Sequence, residues 1–501
     1  MSMTHPEPLL KTENLHRQLD DLQAFVQLSF HDATPLHQVE HGLWKGVLQL
    51  GRQLLQQFLD LNGTGDLGPT VVLPNNQEAE RLEPLHRRTY QSIFGEFQLQ
   101  RVVYGSREGQ KIDFVPLDNR LQLPESEFSY LLQDWDQSLC AEQAFAQVST
   151  ALQRILNFKQ HVDTLEGMNQ QLAAYATSFR LNRPTPPPAE EGELVVGTAD
   201  CKGIVMRRSA DEPPPPAHLD PGEKVSRKKM ATVGGVYTVD RYVRTPEQVL
   251  AALFRDEPPV HAQRPKPCHK QVWASLKLDE ATGPTGMEAV YLGMAWEIGR
   301  RNPGQAKETV YLHDGQEELW DAQAQHLPAA NSVEILELLH VTPRVWQAAH
   351  LFHAVGSDAA EAFARDRILR ILQGQAAGVV MGLRQMGTKH RLTGAKKRSL
   401  GQIGGYLEKN LSRLRYHEYL AKGYPIASGV IEGACRHLVK DRMERAGMHW
   451  TKAGAQAMLE VRSLWVNGDW EAFHQYRLEC ETKRLYPHRE RVAGAHYAMA
   501  V

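Results

Sequence analysis

The sequence predicts an α/β fold whose strand-forming part is interrupted by a block of helices and preceded by a mainly helical N-terminal region. Three observations carry that prediction. Two short apolar runs, Leu194–Asp200 and Thr309–Asp314, read as buried strands that each close on a carboxylate. Residues 341–420 read as almost entirely helical. A turn-rich entry from Gly423 to Gly429 then opens one more helix, which carries Glu432. Strands before and helices after make an α/β core with a helical insertion ahead of its last helices. If the two strands are neighbours, Asp200 and Asp314 emerge at one sheet edge, where open α/β sheets place their ligands.

Taken in order, residues 9–60 predict helix, with Leu48, Leu50, Leu54, Leu55, Phe58 and Leu59 crowded together. Phe94–Tyr104 alternates apolar and polar residues as a strand does. Phe145, Val148, Leu152 and Ile155 have helical spacing, a break falls near Asn157, and Asp163-Thr-Leu-Glu166 reads as a capping box opening a second helix. That pair is either a helix-turn-helix reading a major groove or a plain helical hairpin. Asn182–Gly192 is a proline-rich linker. Past it, Gly203–Arg207 reads as the hairpin partner of Leu194–Asp200, Ala210–Glu223 as an exposed loop, and Met230–Val239 as a third strand. Pro246–Phe254 predicts helix, Gly315 turns into a helix over Gln316–Gln325, and the first part of Ser332–His340 reads as strand. In the helical block, Pro343–Val355 stops at Gly356, Asp358-Ala-Ala-Glu361 is a capping box, and Gly374 ends the next helix. Ala453–Val466 is a further helix before Asn467-Gly468. The resulting division is 1–181, the linker 182–192, core residues 193–340, the insertion 341–420, the last core helices 421–466, and a tail 467–501.

Composition narrows the class. The 501 residues are 42% hydrophobic and 23% charged, ordinary for a globular protein of two to four domains. No run of eighteen apolar residues exists, so no membrane partner is expected. The polar start, Met1–Leu10, predicts no export signal, and five scattered cysteines without a CxxC pair suit a reducing cytoplasm. A net charge of −2 means that a nucleic acid would be met by local patches. Such patches are Arg207-Arg208, Arg227-Lys228-Lys229, Lys389–Arg391 with Lys396–Arg398, and Arg436–Arg445.

Glu432 holds the chemistry. Ser428 is the expected N-cap, Ile431, Cys435, Leu438, Val439 and Met443 form an apolar helical stripe, and Glu432, Arg436 and Lys440 share another face. That face is either a solvated salt-bridge ladder or a carboxylate backed by cations, which suits a metal ion beside a phosphate. Two aspartates and a glutamate from separate elements are what a pair of hard Mg²⁺ or Mn²⁺ ions requires for phosphoryl displacement. Other chemistries lack their patterns: there is no HExxH, no GxxxxGK[ST] and no GxSxG. His313 and His340 read as structural histidines.

Lys229–Tyr237, Tyr311–Gln316, Leu338–Val341, Tyr424–Met443 and Asn467–Trp470 resemble bacterial insertion-sequence transposases of the ISKra type, from about Asp200 to Trp470. The resemblance implies a DDE transposase with a ribonuclease H-like core split by a helical insertion. It implies Asp200, Asp314 and Glu432 as catalytic and metal-binding carboxylates for two Mg²⁺ (or Mn²⁺) ions. Arg436, Lys440, Arg207, Lys228 and Lys229 would meet DNA phosphate. Relatives often carry an acidic residue or cysteine three positions before a histidine ahead of the glutamate, and Glu337-Leu-Leu-His340 occupies that place in support of the core. The implied activity is cleavage at element ends and strand transfer into target DNA. The implied partners are double-stranded DNA and a second copy, as a homodimer or larger, in a bacterial cytoplasm. A catalytically inactive repressor and a metal nuclease without strand transfer are the alternatives.

Overall fold

A computed structural model describes residues 7–73, 77–105, 112–208, 227–256, 264–278, 283–445, 447–487 and 489. The loop expected at Ala210–Glu223 lies outside the described residues. The chain forms two compact units, Met1–Met168 with Glu471–Val501, and Asn169–Trp470. Among the described residues no helix is long and apolar enough to cross a membrane.

The first unit opens with α1 (Glu7–His31) and α2 (Leu36–Leu61), whose contact places Leu22 and Phe25 against α2. It is mainly helical, as expected, but it holds more strand than the one expected at Phe94–Tyr104. Strands β1 (Thr70–Val72), β2 (Glu78–Ser92), β3 (Gly95–Gly105) and β4 (Ile112–Phe114) form an antiparallel sheet in that order. Only β3 was legible, because it alternates. Its partner β2 holds Glu78, Glu80, Arg81, Glu83, Arg87 and Arg88 on a largely exposed ribbon, so no apolar face marks it. Helices α3 (Pro116–Leu121), α4 (Tyr130–Glu142), α5 (Phe145–Leu156) and α6 (Val162–Ala173) follow. Asn157, at φ 62°, closes α5. The helix α6 starts one residue before Asp163, the residue expected to cap it.

Asp136 on α4 is fully buried, and Gln160 donates to one of its oxygens at 2.9 Å while the other has no partner. Burial pushes its pKa up to about 7, against the Gln160 hydrogen bond that lowers it. Between the unfolded value near 4 and this folded value the native state holds a proton that the unfolded chain has lost, so stability falls as pH rises through that window. Asp136→Asn should flatten this dependence and, at pH 8, stabilise the protein by roughly 1–3 kcal/mol, because no carboxylate charge is then desolvated there. Urea unfolding at pH 5 and pH 8 measures both.

The second unit begins with α7 (Ala176–Asn182) and the proline-rich segment, which is extended apart from one 3₁₀ turn at Pro188–Glu190. Its central sheet is built from β5 (Leu194–Val205), β6 (Lys228–Val239), β7 (Cys268–Leu276), β8 (Thr309–His313) and β9 (Ser332–Leu336). The order is β7-β6-β5-β8-β9, antiparallel through β5, β6 and β7 and parallel through β5, β8 and β9. One expectation is overturned here. Gly203–Arg207 is not a hairpin partner of Leu194–Asp200: its first three residues continue the same strand β5, which ends at Val205, and the antiparallel partner is β6. The polar Asp200-Cys-Lys202 stretch imitates a turn, but it is the point where a buried strand passes through the site.

The strand period of two separates the faces. Leu194, Val196, Val310, Leu312 and Ile335 point into one core, and Val195, Ala199, Val236 and Tyr311 into the other. The first core is covered by α8 (Pro246–Phe254) and, past β9, by the helical block. The second is covered by α9 (Met287–Arg301) and α10 (Glu317–His326). The block comprises α11 (Leu338–Phe352), α12 (Asp358–Leu372), α13 (Ala376–Lys389), α14 (Gly394–Lys409) and α15 (Tyr416–Ala421). Here α11 starts five residues before Pro343, since Leu338 and Val341 already bury against the sheet, and α12 is capped by Ser357, not Asp358.

Last come α16 (Gly429–Ala434), a turn of π-helix over Cys435–Lys440, α17 (Asp441–Met443) and α18 (Lys452–Asn467). The side chains of Gln456 and Asn467 on α18 satisfy backbone groups of the edge strand β7 at Leu276 and Val272. Beyond Asn467 the chain is not merely a tail, for α19 (Trp470–Leu485) joins the first unit, where Glu481 accepts from Tyr130 at 2.8 Å.

Candidate functional site

Parallel pairing of β5 with β8 sets Ala199 beside His313, so Asp200 and Asp314 leave adjacent strand positions together. Both follow the parity of Val196 and Val310, which puts them on the face covered by the helical block. His313 fixes that register. It is fully buried, its Nδ1 accepts from the Ala199 amide at 3.1 Å, and Tyr291 Oη lies 3.3 Å from its Nε2. Burial pushes its pKa down to about 3, so it is a neutral structural histidine, as expected from the sequence. Thr198 adds a hydroxyl bond to the Leu312 carbonyl at 2.7 Å.

Each aspartate is oriented locally. Asp200 accepts from the Cys201 amide at 2.6 Å and from the Cys435 thiol at 3.3 Å. Asp314 accepts from the Gln316 amide at 2.8 Å, while its carbonyl accepts from Trp320 Nε1 at 2.8 Å. Burial first, and then the charge of Asp200, raise the Asp314 carboxyl above the usual range. Gly315 is required beside it: a Cβ there would lie 2.1 Å from the Tyr406 ring of α14, so the helical block closes down directly onto the site.

Glu432 arrives from α16. Ser428 caps that helix by accepting from the Ile431 amide at 3.3 Å, as the sequence predicts. Glu337 carries more of the architecture than its sequence position suggested. Its amide donates to the His313 carbonyl at 2.9 Å, and its carboxyl accepts from the Ser428 amide at 2.6 Å. It therefore ties the end of β8 to the start of the Glu432 helix. Burial pushes its pKa up to about 8, helped by the charges of Glu432, Asp200 and Asp314. His340 Nε2 lies 3.4 Å from Glu432 and 3.6 Å from Glu337, too far for a hydrogen bond, and is a buried nitrogen without one. His340 is thus part of the acidic cluster and not the structural histidine the sequence suggested.

The structure sets Glu337, His340 and Glu432 in one cluster, with Asp200 and Asp314 near enough that their charges act on Glu337. Ligand atoms of Glu337, His340 and Glu432 all lie within 4.8 Å of one another. Asp200 joins them through Cys435, one turn beyond Glu432. Clustered carboxylates, two of them, Asp314 and Glu337, raised by burial and by neighbouring acidic charge, beside an imidazole nitrogen lacking a donor or acceptor, are a donor set that a divalent cation fits. The oxygen-rich pair Asp200 and Asp314 suits Mg²⁺ or Mn²⁺.

The expected cations do not converge there. Arg436 is exposed and lies 3.5 Å from Asp441, and Lys440 is exposed as well. Glu432, Arg436 and Lys440 are all exposed, and a π-turn over Cys435–Lys440 falls on the stretch that carries the two cations. Lys228 pairs with Glu444 at 3.1 Å, Lys229 is half-buried on β6, and the Arg207 amide bonds the Trp450 carbonyl just past β5. Cys435 was the missed residue. It registered only as one position of an apolar stripe, yet its thiol is raised well above the usual range by burial and by Asp200, which keeps it a donor.

Glu337→Ala should remove the acceptor of the Ser428 amide and destabilise the protein by about 1–3 kcal/mol, whereas Glu337→Gln, which keeps an acceptor, should melt close to the parent. Thermal denaturation of both variants checks this.

No protein-family model matches the chain, and no curated protein matches it. Among solved structures, the chain is similar to the Drosophila P element transposase strand transfer complex. Identity is 9%, over 75% of this chain and 88% of that chain, with a TM-score of 0.25. A TM-score that low bears on neither fold nor function.

Proposed function

We propose that the chain is a DNA transposase of the DDE type with a ribonuclease H-like core, cutting element ends and joining them to target DNA. The observation that carries this reading is that Asp200 and Asp314 leave the ends of adjacent strands β5 and β8 beside the helix of Glu432, Asp200 bonded by Cys435 one turn beyond it. The order β7-β6-β5-β8-β9, with a helical block between β9 and the glutamate helix, supports the ribonuclease H-like assignment. Asp200, Asp314 and Glu432 would hold two Mg²⁺ or Mn²⁺ ions, with His340 and Glu337 beside them. Such ions supply charge neutralisation at a phosphoryl group and a more acidic water.

The chain's own residues do the positioning. Glu337 sets the angle of the Glu432 helix, His313 holds the two aspartates in register, and Cys435 orients Asp200. Residues 1–181 are assigned to gripping terminal inverted repeats, with a homodimer or larger assembly pairing two ends on double-stranded DNA. Duplexes carrying the inverted repeats that flank the gene, incubated with Mg²⁺ and a target plasmid, test the reading. Nicked ends and joined products are expected. Nicks without joining would make the protein a nuclease, and binding without either would make it a repressor.

A further inference from the structure

A groove of about 820 Å³ lies on the opposite flank of α16 from Glu432. Gly429, Val430, Gly433 and Ala434 form that flank, Tyr237, Val239 and Val272 form the floor, and Arg264–Lys270 forms a rim. At about 100° per residue, the mean direction of these four positions lies about 130° round the helix from Glu432, which faces His340. The groove is therefore separate from the acidic cluster and of opposite charge. Arg244, Arg264, Lys266 and Lys270 line it against one carboxylate, Asp240.

Three features mark it as a built site. None of the four cations has an ion-pair partner among the described residues, although ion pairs are plentiful elsewhere in this unit. Arg244 is half-buried, its Nε has no hydrogen-bond partner, and its guanidinium stacks 5.2 Å from the Tyr242 ring. Burial, and then the neighbouring charge of Arg264, hold its pKa below the usual guanidinium value, a cost that an anion would relieve. Finally, Pro265 and Pro267 alternate with Arg264 and Lys266, which keeps the rim extended with its cations spaced along the opening.

We infer that this groove binds a single strand of DNA, phosphates on the rim cations and bases against the half-exposed Tyr242, Pro425, Ala427 and Val430 of its walls. The volume and the mixture of cations with apolar and aromatic walls favour a strand with accessible base faces over a duplex, whose bases are stacked inside. The α16 flank admits close approach, since a Cβ at Gly429 would meet nothing within 4 Å. The inference rests on the reading that the chain handles DNA, and places a strand across the helix that carries Glu432.

Fluorescence anisotropy with a labelled 20-nucleotide single strand tests it, in EDTA so that no cleavage enters the readout. Arg264, Lys266 and Lys270 are exposed, so a triple Arg264→Gln, Lys266→Gln, Lys270→Gln variant should keep the parent melting temperature. It should bind at least about tenfold more weakly, and its log–log salt slope should fall by about 2, the value for three lost phosphate contacts on a single strand. Arg244→Met should weaken binding in the same direction. Unchanged affinity and slope in the triple variant would overturn the inference, as would an equal loss on duplex DNA of the same sequence. Loss of strand binding in a protein that never nicks DNA with Mg²⁺ would leave this site standing and remove the transposase reading; the reverse pattern would do the opposite.

Discussion

Asp200→Asn, Asp314→Asn and Glu432→Gln are each expected to lower Mg²⁺-dependent DNA cleavage by about 10³-fold or more, while the protein melts at the parent temperature or above it. Each amide keeps the shape of the acid and removes one charge. The loss of about 4 kcal/mol of transition-state stabilisation, within what a divalent ion supplies, corresponds to that factor. The stability half of the prediction comes from the electrostatics. Asp200 raises Asp314, and Asp200, Asp314 and Glu432 together raise Glu337, so these charges oppose one another in the metal-free protein. Removing one relieves repulsion. A structural cluster would behave in the opposite way, losing stability with no effect on cleavage. Arg436→Ala should lose far less activity, because Arg436 lies exposed beside Asp441. Cleavage rates with a thermal melt of each variant decide the matter, and parental activity in any one of the three would remove that residue from the chemistry.

The parts of this site that could be read from the sequence were those fixed by local pattern. Leu194–Asp200 and Thr309–Asp314 are apolar runs ending in a carboxylate, and a buried parallel pair requires that composition. Ser428 stands where a helix needs its first amides satisfied. The parts that stayed hidden depend on distant partners. The edge strand β7 carries Cys268, His269, Lys270 and Gln271 at its start, and only pairing with β6 and capping by Asn467 make it a strand. Helix α9, absent from the sequence prediction, does carry a local signal, the helical spacing of Val290, Met294 and Ile298. The π-turn had no local mark: Cys435–Lys440 reads as ordinary helix, and the extra residue is set by Cys435 reaching Asp200 while Leu438 and Val439 stay buried. Likewise the resemblance marks Glu337 as a support of the core, but its bond to the Ser428 amide, 91 residues away, has no local signal.

Arg301→Ala is expected to cost about 3–5 kcal/mol of stability at neutral pH, the largest structural effect of any single change considered. The proline-rich segment Asn182–Gly192 has the composition of a free linker, but it is anchored through this residue. The Arg301 guanidinium is fully buried, donates to both oxygens of Glu191 at 2.7 Å, and donates to the His269 carbonyl at 2.9 Å. Glu297 sits 3.5 Å away, also buried. Burial alone would raise the Glu191 pKa, but the hydrogen bonds from Arg301 and Thr238 outweigh it and hold the carboxyl below its usual value. In the parent, the contribution of Glu191 is thus present above its unfolded pKa and lost as pH falls through the folded value. In the variant the same carboxylate is buried without its cation, so acid relieves it. The two stability curves should converge as pH falls toward 4, which urea midpoints at pH 4.5, 6 and 7.5 would show. Equal losses across that range would mean that lost packing, not an orphaned charge, sets the cost. The His269 carbonyl lies at the start of β7, within the rim segment Arg264–Lys270, so the variant should also weaken single-strand binding by loosening that rim. Parental strand affinity in a destabilised Arg301→Ala protein would show that the rim cations are held by their own prolines, independently of the anchor.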